Sequence, residues 1–111
     1  MELLLIVFNI IFLLTCLSLS YLFKTNYPKE INDIIGYRTK RSMSSKEAWL
    51  LANSYASQWL FKYSLLAVLS QIILFIIFDA KIALLVTSSL WIVTLFVTII
   101  QTEIKLKRFQ R

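Results

Sequence analysis

Three long apolar runs, 3–23, 60–78 and 82–100, are separated by one polar stretch, 24–59, and followed by a basic end. Each run holds about 20 residues, and as a helix that covers about 30 Å, the thickness of a bilayer's hydrocarbon core. None carries a charge apart from Lys62, near one end. Strands cross membranes only in closed barrels, whose segments alternate apolar and polar positions over about 10 residues, and these unbroken runs do not alternate. The expected fold class is therefore all-α. It is an integral membrane protein with three transmembrane helices, and a cytoplasmic loop plus an amphipathic helix between helices one and two. Residues 1–111 are expected to form a single membrane domain. The first run is read as a retained helix, because a signal's apolar stretch is only about 7 to 15 residues and Glu2 stands where a basic start is usual.

Composition agrees with that pattern. A chain of 111 residues with 59% hydrophobic and 16% charged side chains and a mean hydropathy of +0.73 lacks the polar surface of a soluble domain. Its lysines and arginines fall mainly in two groups, Lys24 to Lys46 after the first run and Lys105 to Arg111 after the third. Basic residues mark the cytoplasmic side. The amino terminus is then expected outside, the carboxyl terminus in the cytoplasm, and Asp79-Ala80-Lys81 in a tight exterior turn. A net charge of +6 also raises nucleic acid as a partner. Anionic headgroups account for it more simply, since juxtamembrane basic residues gain about 1 kcal/mol each near an anionic leaflet. Membrane lipids are the expected partner, with no direct nucleic-acid contact.

The side-chain inventory narrows the chemistry. Cys16 is the one cysteine, and there is no histidine, so zinc, haem and Cys/His nucleophile sites lack their usual ligands and bases. No cofactor, metal site or catalytic residue is expected. No pair of carboxylates recurs on one helical face inside a span, and the spans hold only neutral polar groups: Asn9, Ser70, Gln71, Ser88, Thr94 and Thr98. Ion and proton pathways expose ionisable side chains within their spans. Hydrogen bonding between helices is the expected role of these six, at roughly 0.6 to 2 kcal/mol each.

The insert has two parts. From Lys24 to Met43 it collects Pro28, Asn32, Asp33 and Gly36, the last the only glycine of the chain, which predicts an ordered loop. Ser44 followed by Glu47 has the spacing of a capping box, so a helix is expected to begin near Ser45. Ala48, Leu51, Ala52, Tyr55 and Trp59 recur at spacings of three and four, forming one apolar to aromatic face. That helix either lies in the headgroup region or runs straight into the second span. Gly36 is expected at a positive φ or a close contact. Arg38 is expected to engage a headgroup phosphate or a ligand, and Trp49 to be an interface anchor. Asn32 and Asn53 are expected to hydrogen-bond the loop to the helix.

The order Asn32-x-x-Ile35-Gly36-Tyr37-Arg38-Thr39, then Ser42-Met43, then Glu47-Ala48-Trp49 and Ala52-Asn53, resembles the signature of the SdpI family of bacterial membrane proteins. The placement between one span and a two-span hairpin matches as well. Asn32, Gly36, Arg38, Thr39, Glu47 and Trp49 fall on motif positions, and Asn53 stands where a polar residue is common. Lys40 replaces a frequent proline, Ser57 replaces a frequent glycine, and three spans are fewer than in longer relatives. Name-giving members are immunity proteins against a secreted antimicrobial peptide, and a toxin-bound member can hold a repressor at the membrane. The resemblance implies a peptide toxin and a cytoplasmic repressor as partners, with antimicrobial peptide resistance and signalling as the functions. On that view the spans bind or exclude the peptide, while Arg38, Glu47, Trp49 and the two asparagines hold the insert in one conformation. The alternative is a small structural or assembly subunit of a larger membrane complex.

Overall fold

The computed structural model describes residues 2–110 and contains three helices: α1 (Glu2–Asn26), α2 (Lys46–Ile77) and α3 (Ala80–Phe109). All three are long and apolar enough to cross a membrane, and no strand occurs among the described residues. They stand side by side in a rod of 50 × 22 × 18 Å. Tyr21 meets Phe61 and Asn9 meets Gln71, so α1 and α2 run antiparallel. The α2–α3 hairpin carries most of the packing between helices.

What is buried and what is exposed is inverted relative to a soluble protein. The inner faces are lined by small and polar residues: Ala48, Ala52, Ala56, Ser57, Ser64 and Ala67 on α2, and Ala80, Ala83, Thr87, Thr98 and Thr102 on α3. Apart from the buried Trp49 and Leu106, the large apolar side chains, such as Leu14, Leu69, Ile76 and Phe96, mostly point outward. Helices in lipid gain nothing by hiding leucine from tails that are equally apolar. They associate instead through close backbone approach, which small residues permit. The outward leucines and isoleucines are thus a lipid-facing coat.

The helix ends follow from local chemistry. The Ser45 hydroxyl accepts from the Ala48 N–H at 3.0 Å and starts α2. Ser44, the expected cap, instead donates to the Arg41 carbonyl and accepts from Gln110, so the Ser44–Glu47 capping box does not form. No glycine or proline interrupts 44–78, and the amphipathic stretch is nearly the first half of a continuous 32-residue helix. That decides between the two placements left open by sequence. At about 48 Å, α2 outruns the hydrocarbon core by several turns. At its other end the Asp79 carboxylate caps Ile82 N–H at 2.9 Å. The turn between α2 and α3 is therefore Phe78–Asp79, with Ala80 and Lys81 already helical.

Aromatic residues mark where the rod leaves the membrane. Lys24 lies 4.6 Å above the Phe61 ring, Lys62 4.6 Å above Trp59, and Trp59 stacks obliquely on Tyr63. Rings with cationic tips suit the headgroup layer. Beyond this level the ends of α2 and α3 project and form the platform for the insert.

Candidate functional site

The loop between α1 and α2 is built first from local hydrogen bonds. Asn32 Oδ1 accepts from the Ile34 and Ile35 N–H groups at 2.9 and 2.7 Å, closing an Asx turn. Its backbone carbonyl accepts from Arg38 Nε at 2.9 Å, which ties the far end of the segment back to the turn. Thr39 and Ser42 form a second closed unit. Ser42 Oγ accepts from the Thr39 N–H at 2.8 Å, Thr39 Oγ1 accepts from the Ser42 N–H at 3.2 Å, and Ser42 Oγ also donates toward the Tyr37 and Thr39 carbonyls. Ser42 is wholly buried by these contacts.

Helix α2 then receives the loop through two buried side chains, Trp49 and Asn53, one helical turn apart. Trp49 Nε1 donates to the Pro28 carbonyl at 2.9 Å. Asn53 Oδ1 accepts from the Tyr37 N–H at 2.7 Å, and its Nδ2 donates to the Trp49 carbonyl at 3.0 Å. Gly36, at φ +108°, lies directly over this pair. A Cβ there would stand 2.7 Å from Asn53 Oδ1, 2.9 Å from Pro28 Cγ and 3.2 Å from Trp49 Cζ2. Both the backbone angle and the space exclude a side chain. Gly36, Trp49 and Asn53 are therefore one interlocked contact that seats the loop on the helix.

Tyr37 extends the contact to α3. Its hydroxyl donates to Glu103 Oε1 at 3.0 Å and toward the Ile99 carbonyl at 3.2 Å. Burial, and next the Glu103 carboxylate, hold the Tyr37 phenol well above its ordinary pKa, so it stays protonated and remains a donor. Arg41 pairs with Glu103 Oε2 at 3.5 Å, and Gln110 donates to Ser44 Oγ at 2.7 Å. Between these contacts opens a cavity of about 550 Å³ lined by Thr39, Lys40, Arg41, Ser44, Glu103 and Gln110.

The expected site residues thus separate. Gly36, Trp49 and Asn53 converge in the seat of the loop, while Thr39 closes a separate turn with Ser42. Trp49 is wholly buried and is therefore not an interface anchor; Trp59 and Tyr63 occupy that level instead. Of the two asparagines only Asn53 joins loop to helix, while Asn32 works within its own turn. Arg38 and Glu47 are exposed. Arg38 touches the protein through Nε, and Glu47 has no hydrogen-bond or ion-pair partner among the described residues. Tyr37 lay inside the recognised motif without being singled out, and Glu103 and Gln110 were missed. A carboxylate one turn beyond a span, on a helix otherwise neutral from Ile82 to Thr102, was the available signal for Glu103.

A second polar cluster lies at the opposite end of the rod. Gln71 Nε2 donates to Asn9 Oδ1, Thr87 Oγ1 donates to Gln71 Oε1, and Asn9 Nδ2 donates to the Leu5 and Ala80 carbonyls. All three residues are buried. Of the six neutral span residues expected to bond across helices, Asn9 and Gln71 do so. Ser88, Thr94 and Thr98 bond to carbonyls of their own helix.

A helical hairpin with a preceding span and a polar loop seated on its projecting ends defines the molecule as a multi-pass membrane protein. A model of the SdpI/YfhL protein family matches residues 29–102, the insert and nearly all of the hairpin. The Uncharacterized protein YfhL of Bacillus subtilis (strain 168) is 36% identical over 87 residues, spanning 72% of this chain and 68% of that protein. The chain belongs to the SdpI/YfhL protein family. No solved structure matches it.

Proposed function

We propose that this protein is an immunity protein of the bacterial cytoplasmic membrane, which protects its cell from a secreted antimicrobial peptide without catalysing a reaction. The observation that carries the reading is family membership over a stretch that coincides with the insert and hairpin. The positive-inside rule puts the amino terminus outside and the insert with the carboxyl terminus in the cytoplasm.

The geometry suggests a division of labour. Gly36, Trp49 and Asn53 are consumed in seating the loop, and Thr39 in closing its turn with Ser42. Arg38 and Glu47 are exposed on the seated surface, and a guanidinium with free N–H groups is suited to a carboxylate or phosphate. In this reading the lipid-facing spans meet the peptide, protection depends on the cytoplasmic surface around Arg38, and the same surface reports the peptide's presence by holding a repressor at the membrane. Expression in a peptide-sensitive bacterium, followed by challenge with secreted peptides of the toxin class, tests the proposal. Survival above that of cells carrying an empty vector is expected. Equal killing would overturn it and favour an assembly subunit, which would copurify with a larger complex after mild detergent extraction.

A further inference from the structure

The tip of the insert exposes a compact apolar group for which the seating of the loop gives no reason. Ile34 is 86% exposed, Ile35 64% and Ile31 41%, although these residues belong to a polar loop that Asn32, Tyr37, Thr39 and Ser42 hold in place by hydrogen bonds. The Asx turn at Asn32 and the Arg38 Nε bond fix the backbone that presents them. The tip is therefore a held conformation and not a frayed one. Exposed isoleucine at a defined turn on a chain this rich in lipid-facing surface calls for an occupant.

Its position identifies that occupant. Ile35 and Gly36 share a groove with Leu22, Phe23, Asn26 and Pro28, so the tip folds back beside the last turn of α1. Leu22 and, one turn earlier, Leu19 are outward-facing side chains of the first span, exposed at 54% and 60%. The apolar tip is continuous with this lipid-facing coat at the level where Lys24 and the Phe61 ring mark the headgroup layer. Lys29 and Arg38 flank it, and the part of the guanidinium not bound to Asn32 is free to meet phosphate. Glu30 and Asp33 are also exposed beside the isoleucines, and charge of either sign keeps such an element shallow. We infer that Ile34 and Ile35 form a membrane-dipping wedge. Their side chains enter the boundary between headgroups and acyl chains of the leaflet that α1 leaves, while Arg38 contacts phospholipid phosphate. Interfacial elements of this kind bury their apolar face about 5–10 Å into that boundary. The inference rests on the three-span arrangement and is independent of the immunity reading.

The test places a single nitroxide label at Ile34→Cys or Ile35→Cys, in a Cys16→Ala background, with Leu19→Cys as lipid-facing and Lys40→Cys as water-facing references. The full chain is reconstituted in phospholipid nanodiscs, and the label's collisions with oxygen and with a water-soluble nickel chelate are compared. The labelled positions are exposed, so none disturbs the Trp49–Asn53 seat. An oxygen-to-nickel ratio at 34 and 35 matching that at 19, and several-fold above that at 40, is expected. A ratio matching position 40 would overturn the wedge. Shielding from both reagents would overturn it as well, by showing that a second copy of the chain covers the tip.

Discussion

Two amide-centred clusters sit at opposite ends of the same hairpin. Asn9, Gln71 and Thr87 lie inside the bundle near the Phe78–Asp79 turn, and each donor and acceptor is spent on another helix or on a carbonyl. Asn53, Trp49 and Gly36 lie beyond the membrane and hold a 19-residue loop, Tyr27 to Ser45, against α2. The first cluster closes the structure on itself and leaves no surface. The second creates one, because seating the loop carries Arg38, Lys40 and the isoleucine tip into fixed positions. Satisfaction of buried polar groups is equally complete in both, with no buried side-chain N or O left without a partner among the described residues. The difference lies in what each arrangement displays.

The comparison is broken most severely by removing the seat. Trp49→Ala deletes a wholly buried ring and is expected to lower stability by about 3–5 kcal/mol. The loss should appear as rapid trypsin cleavage at Lys29, Lys40 and Arg41 in detergent while the helical circular dichroism of the spans persists. Asn53→Ala leaves the Tyr37 N–H buried without its acceptor and is expected to cost about 1–3 kcal/mol, read by the same cleavage assay. Gly36→Ala should match it through backbone strain of about 1–3 kcal/mol. If either variant resists trypsin like the parent, the interlocked seat is wrong.

A smaller effect is expected at the opposite end. Gln71→Leu removes the link between Asn9 and Thr87, worth roughly 0.6 to 2 kcal/mol in a membrane. It should lower the midpoint of thermal unfolding in micelles without making the loop more cleavable. Smaller still is Tyr37→Phe, which loses the hydroxyl bond to Glu103, for about 0.5–1.5 kcal/mol. Its pH signature is distinctive. The Tyr37 pKa is raised on folding, so its contribution is fully present below the unfolded value of about 10. It is lost as pH rises toward the folded value. Stability of the parent should therefore decline above that pH by a component that the phenylalanine variant lacks.

The two clusters also differ in how far sequence foretold them. The three spans follow from unbroken apolar runs of bilayer length, which require no partner to be recognised. Gly36, Trp49 and Asn53 stood out because the motif carrying them is nearly contiguous, although burial of Trp49 could not be told from interface anchoring by its type alone. Asn9, Gln71 and Thr87 lie 62 and 16 residues apart along the chain, and no local period links them. The choice of these residues over Ser88 or Thr94 depends on helix rotation, which sequence spacing leaves undetermined. Glu103 was hidden for the same reason, since its partners Tyr37 and Arg41 come from the loop.

The central claim is that protection resides in the displayed surface of the seated insert, and that the closed cluster only holds the bundle together. Survival under peptide challenge should be measured for cells expressing the parent, Arg38→Ala or Gln71→Leu at equal membrane abundance. Arg38 is exposed and makes one hydrogen bond, to the Asn32 carbonyl, so its removal is expected to cost about 1 kcal/mol, less than loss of the Trp49–Asn53 seat. The account predicts that Arg38→Ala loses protection with its loop still trypsin-resistant, and that Gln71→Leu keeps it. Full protection by Arg38→Ala, or loss confined to Gln71→Leu, would contradict it.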